Sequence, residues 1–190
     1  HRVPAFALRR PGPATIAEKT NAPTTSNHTM LATLLICLVV GVADGDTITV
    51  RCPAESVQQP YQQERVRLTA IDAPERGQPF ATRAKQAMSE LTYRKTVQLE
   101  CGKRDRYRRL VCDVYVAHPK GLGNGQNIDV GLEMIERGMA WWYRAYQHEQ
   151  APEQRRAYEH AEASARKRGA GLWRDPDPVA PWDWRRNRPR

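Results

Sequence analysis

Two short β-branched runs, Leu38 to Val42 and Thr47 to Cys52, stand on either side of Asp44-Gly45-Asp46. Asp-Gly between such runs is hairpin chemistry. A third run, Glu64 to Ile71, puts Val66, Leu68 and Ala70 on one face and Arg67 and Thr69 on the other. Val97 to Cys101 and Leu110 to Val116 read as two more strands, joined by the charged turn Gly102 to Arg109. Between the third and fourth strands, Phe80, Ala84, Ala87, Met88 and Leu91 recur at helical spacing over about Pro79 to Arg94. Ile128, Leu132, Ile135 and Met139 predict a second helix with Asn127 as N-cap; Tyr158, Ala161 and Ala165 predict a third, opened by Pro152 and stopped by Gly169. Five short strands with a helix after the third predict an α+β fold: a five-stranded OB-type Greek-key β-barrel with three α-helices.

The ends read differently. Residues 1–30 are expected to be a disordered or signal-like extension: Pro4, Pro11, Pro13 and Pro23 stand among scattered polar residues without apolar periodicity. Residues 31–175 form the predicted OB-type domain, and residues 176–190 a tail rich in Trp, Pro and Arg. The apolar run Leu31 to Val40 is too short for a membrane span, which needs about 20 residues. Its length suits a secretion signal, but no small-x-small cleavage site follows and its second half is needed as a strand.

Thirty Lys and Arg against 21 Asp and Glu leave a net charge of +9. Such a surface favours nucleic acid or an anionic membrane, and charge alone does not choose between them. The four cysteines are too far apart for a C-x-x-C metal or redox motif. Cys37 and Cys52 flank one predicted turn, Cys101 and Cys112 another, so two cross-strand bridges and four half-buried thiols both fit.

The carboxylates come next. Asp46 closes the first hairpin, and Asp72 and Glu75 end the third strand in Asp72-Ala73-Pro74-Glu75. Oxygen ligands without His or Cys suit a hard cation such as calcium or magnesium, although either motif alone is ordinary loop chemistry. Arg67 and the turn Asp105-Arg106-Tyr107-Arg108-Arg109 supply guanidinium groups from two other places. Forked donors can hold the equatorial oxygens of a phosphodiester as water attacks it. A cation, a carboxylate to handle water and two arginines make a complete set for phosphoryl hydrolysis.

Several separated segments then agree in order and spacing. Val39 to Thr47, Val66 to Glu75, Asp105 to Arg109, Glu136 to Tyr143 and Gly171-Leu172-Trp173 resemble the staphylococcal-nuclease-like (thermonuclease) family. Together with Pro181-Trp182-Asp183-Trp184-Arg185-Arg186, they look like its exported bacterial branch. The resemblance implies a calcium-dependent endonuclease acting on DNA and RNA with little sequence preference and leaving 3′-phosphates. It implies Ca2+ bound by the carboxylates of Asp46 and Asp72 and the backbone carbonyl of Ala73. Glu75 would hold the attacking water, while Arg67 and Arg109 would grip the scissile phosphate. Arg106 and Tyr107 stand where the family has a cation and a tyrosine near a terminal phosphate. Tyr146 resembles its base-packing tyrosine, and Arg144 stands at a neighbouring tyrosine position.

A secreted or periplasmic monomer with no stable protein partner is the corresponding expectation, with cytoplasmic residence left open. One departure bears on the site. Arg108 occupies a glycine position of the family's Tyr-Gly-Arg turn, and a positive φ there would strain it and could misplace Arg109. The tryptophans Trp141, Trp142, Trp173, Trp182 and Trp184 are expected to pack against helices rather than stack on bases. The competing reading is an OB module that binds single-stranded nucleic acid without cutting it.

Overall fold

The structure, a computed structural model, describes residues 33–54, 58–117 and 127–187. The expected extension at residues 1–30 lies outside them. Strands β1 (Thr33–Val42), β2 (Thr47–Pro53), β3 (Tyr61–Leu68), β5 (Thr96–Arg104) and β6 (Leu110–Ala117) form an antiparallel series in the order β3-β2-β1-β5-β6. A parallel pairing of β3 with β6, with Val66 opposite Leu110 and Leu68 opposite Cys112, closes it into the expected OB-type barrel.

β1 serves two partners. Residues from Thr33 to Leu38 pair with β5, and those from Leu38 to Val42 pair with β2 across an irregularity between Val39 and Gly41. The apolar run is therefore strand from Thr33 onward, earlier than the expected start at Leu38. Its alternation turns Cys37 and Val39 inward, while Leu34 and Ile36 face out. Val39, Ile48, Val50, Val66, Val97, Leu99 and Val114 belong to the main core cluster. Disulfides join Cys37 to Cys52 and Cys101 to Cys112, the two cross-strand bridges that the turn-flanking positions allowed.

The third strand ends sooner than expected. Ala70 has φ 58, a left-handed conformation that cannot continue a strand, so Ile71–Asp72 forms a separate strand, β4. β4 pairs with β8 (Trp141–Trp142) instead. Helix α1 (Ala81–Thr92) adds Ala84, Met88 and Leu91 to the core.

Asn127 does not cap the second helix. It opens the three-residue strand β7 (Asn127–Asp129), and Asp129 caps α2 (Val130–Glu136) by accepting the Leu132 N–H at 3.0 Å. Asp129 lies at the distance from Leu132 that lets a cap side chain meet a first-turn N–H. Helix α3 (Pro152–Lys167) begins at proline and buries Tyr158, Ala161 and Ala165, with Gly169 at φ 58 just beyond its end.

The described part of the tail, through residue 187, carries a fourth, six-residue helix, α4 (Pro181–Arg186). Trp141, Leu172 and Ala180 form a second cluster, against which Phe80, Trp173 and Trp182 pack. These tryptophans pack as expected. Gln78 donates to the Val179 carbonyl at 2.6 Å, tying the tail to the loop before α1. No helix among the described residues is long and apolar enough to cross a membrane.

Candidate active site

The bend at Ala70 decides where the site's charges go. Arg67 leaves β3 on the face opposite Val66 and Leu68, and the turning backbone wraps around its guanidinium. Its Nη1 donates to the carbonyls of Leu68 (3.1 Å) and Ile71 (2.8 Å) and lies 3.2 Å from Asp46 Oδ2. Its Nη2 donates to Asp72 Oδ1 at 3.0 Å. One fixed guanidinium thus joins the first hairpin to the end of the third strand.

Asp46 is buried and held at both oxygens. Thr47 Oγ1 donates to Oδ1, and the Ala73 N–H donates to Oδ2, each at 2.9 Å. Gly45 permits this approach. A Cβ there would stand 2.7 Å from Ala73 Cβ and 2.8 Å from Ala84 Cβ, so any other residue would drive the hairpin from α1 and the Ala73 loop. Asp44 accepts the Asp46 N–H at 3.1 Å; burial and the Asp46 charge push its carboxyl up to about 6. Burial also raises Asp72, opposed by Arg185 and Arg67.

Arg109 approaches from the β5–β6 turn. The Asp105 carboxylate accepts its N–H (3.0 Å), its Nε (2.7 Å) and the Tyr107 N–H (2.9 Å). Against a burial penalty, the Arg109 hydrogen bonds hold Asp105 below the usual carboxylate range. Arg108 does have φ 65, yet Arg109 keeps its place: Nη1 lies 3.3 Å from Thr47 Oγ1, the hydroxyl bonded to Asp46. Tyr107 is exposed, with Arg106 Cζ 4.8 Å and Arg109 Cζ 5.4 Å from its ring centre. Tyr146 lies 5.4 Å from Tyr143, which in turn stacks 5.3 Å from Trp182. Those rings link Tyr146 to α4.

Two side chains belong to the site that local sequence reasoning did not find. Arg185, from α4, places Nη2 2.7 Å from Asp72 Oδ2, and Nη1 3.2 Å from Asp72 Oδ1 and 2.6 Å from Glu75 Oε1. Gln78 accepts the Glu75 N–H at 2.9 Å, fixing the backbone of that carboxylate. Arg185 lies 113 residues from Asp72, so no local spacing announces the contact. The only sequence signal was the Trp-Asp-Trp-Arg segment itself.

Asp46, Arg67, Asp72, Arg185 and Glu75 therefore form a continuous alternation of charge, with Ala73 bonded to Asp46 and Arg109 beside Thr47. Among the described residues, no group of three or more His, Cys, Asp or Glu side chains is gathered as a metal site. The donor chemistry nevertheless fits a hard cation. Two buried carboxylates, Asp46 and Asp72, meet as oxygen donors on one guanidinium, although a second guanidinium takes up both Asp72 oxygens.

Known proteins share this chain's sequence over most of its length. Residues 65–175 match the family of staphylococcal nuclease homologues. A micrococcal nuclease of Shigella flexneri is 40% identical over 148 residues, covering 78% of this chain and 79% of its own. An uncharacterized endonuclease of Haemophilus influenzae is 37% identical over 150 residues, covering 79% and 72%. Protein ParB of Escherichia coli is 39% identical over 148 residues, covering 78% and 77%. The chain belongs to the staphylococcal nuclease homologue family.

Proposed function

We propose that this chain is a calcium-dependent endonuclease that hydrolyses phosphodiester bonds of DNA and RNA with little sequence preference, leaving 3′-phosphates. The observation that carries the reading is the meeting of Asp46 and Asp72 on Arg67, with Glu75 and Arg109 beside them. A site that only bound nucleic acid would gain nothing from gathering carboxylates next to a phosphate.

Asp46, Asp72 and the Ala73 carbonyl would hold Ca2+, a hard cation that offsets phosphate charge and polarises its oxygen. Glu75 would accept a proton from water as the water oxygen attacks phosphorus. Arg67 and Arg109 would donate to the equatorial oxygens as negative charge grows there. Arg67 is suited to this because two backbone carbonyls and two carboxylates fix its plane before substrate arrives. The bond to the 5′-oxygen breaks, which leaves the phosphate on the 3′ side. Arg106 and Tyr107 would meet a terminal phosphate, and Tyr146 a neighbouring base. All these groups come from one chain, consistent with a monomer. Two disulfides in the barrel support a secreted or periplasmic setting, where such bonds persist.

The test is incubation of the full chain with plasmid and single-stranded DNA in calcium, in magnesium and in a calcium chelator, beside Asp46→Ala. The expected result is degradation with calcium that is lost in chelator and in the variant. Retarded but intact DNA would contradict the proposal.

A further inference from the structure

Arg185 occupies the two carboxylates that the proposed chemistry needs available. Its guanidinium takes both oxygens of Asp72 and one of Glu75, at 3.2, 2.7 and 2.6 Å. A guanidinium satisfies those lone pairs, but a divalent cation on Asp72 would need the same ones. The two cations would also repel each other beside the buried Asp72, where charge interactions are screened less than in bulk water.

Arg67 and Arg185 differ in how they are held. Arg67 is anchored by the Leu68 and Ile71 carbonyls as well as by carboxylates, and only 17% of its side chain is exposed. Arg185 rides on the six-residue α4, with 44% of its side chain exposed. That segment is fastened by its N-terminal half: Trp182 lies 5.7 Å from Trp141 and 5.3 Å from Tyr143, Ala180 and Pro181 are buried, and Gln78 holds the Val179 carbonyl. A helix of under two turns, with its last two residues exposed, is the kind of element that opens locally at low cost.

We propose that the C-terminal segment is a latch, in which Arg185 and a divalent cation compete for Asp72 and Glu75. With the latch closed, Glu75 is engaged and Asp72 is neutralised. When the cation binds, Arg185 withdraws and α4 loosens. By reciprocity, whatever weakens the latch strengthens cation binding by the same factor. The inference rests on the reading of Asp46 and Asp72 as cation ligands.

The test is calorimetric titration of Ca2+ into the full-length wild type, Arg185→Ala, Arg185→Lys and Trp182→Ala, with folding checked by thermal melting. Arg185→Ala and Trp182→Ala should bind Ca2+ more tightly, roughly 5- to 150-fold, the usual range of coupling between sites. Arg185→Lys, which keeps the charge but loses the fork, should fall between. In the wild type, Ca2+ should also hasten chymotryptic cleavage at Trp182 and Trp184. Calcium binding in the wild type with unchanged or weaker binding in folded Arg185→Ala and Trp182→Ala would overturn the latch and leave the cation site standing. No Ca2+ binding by any of the chains would overturn the cation site and the latch with it.

Discussion

Arg108 shows how a residue can be strained without damaging its neighbour. A non-glycine residue in the left-handed region costs about 1–3 kcal/mol, and Arg108 sits there at φ 65. Asp105 offsets this with three hydrogen bonds from the same turn, and bonds to a charged group contribute roughly 1.5–3 kcal/mol each. The turn holds, and Arg109 reaches Thr47. Arg109→Gln should therefore lower the cleavage rate by about 10²–10³, the usual loss when one oxyanion donor is removed, as steady-state kinetics on plasmid DNA would show. Most of this was legible in the sequence, because Asp46, Arg67, Asp72 and Glu75 each lie in a short motif whose position in a barrel brings it to the same end. Asp105's part as organiser of the turn went unread, since an Asp before a charged turn is common. Arg185 lay in a recognisable segment, but nothing local tied it to the carboxylates: its partners lie 113 and 110 residues away.

Strands and helices were legible wherever apolar periodicity set them, and less so where a single dihedral or cap did. The strands β2, β5 and β6 and the helix α1 fall close to their expected places. The end of the third strand depended on the φ of Ala70, and the start of α2 on which of two polar residues caps it; periodicity carries neither. The element β6 also holds a half-buried acid. Burial, with the charges of Asp129 and Glu100, pushes the Asp113 carboxyl up to about 6, while Gln154 and Thr69 hydrogen-bond to it. A carboxyl raised in the folded state binds protons more readily folded than unfolded, so stability should increase as pH falls from 7 through 6 toward 4. Asp113→Asn should flatten that rise and stabilise the protein at pH 7, by up to ~3 kcal/mol. Denaturant unfolding at pH 7 and pH 5 checks both; a variant that is less stable than wild type at pH 7 would contradict the assignment.

At the scale of the molecule, closure of the barrel is what turns scattered motifs into a site. The parallel β3–β6 pairing sets Arg67 opposite Val111, two residues after Arg109 and across from the hairpin carrying Asp46. The two disulfides join β1 to β2 and β5 to β6, both of them strand pairs that frame those turns. The net charge of +9 supplies long-range attraction for a polyanion but no chemistry. In the proposed mechanism, what would separate cutting from mere binding is Glu75, the carboxylate that Gln78 fixes through its backbone and Arg185 covers. The most direct measurement is single-turnover cleavage of a labelled oligonucleotide by Glu75→Gln at saturating calcium, with binding measured in parallel. The account predicts retained binding and a cleavage rate lowered by ~10²–10⁴; cleavage at the wild-type rate would contradict it.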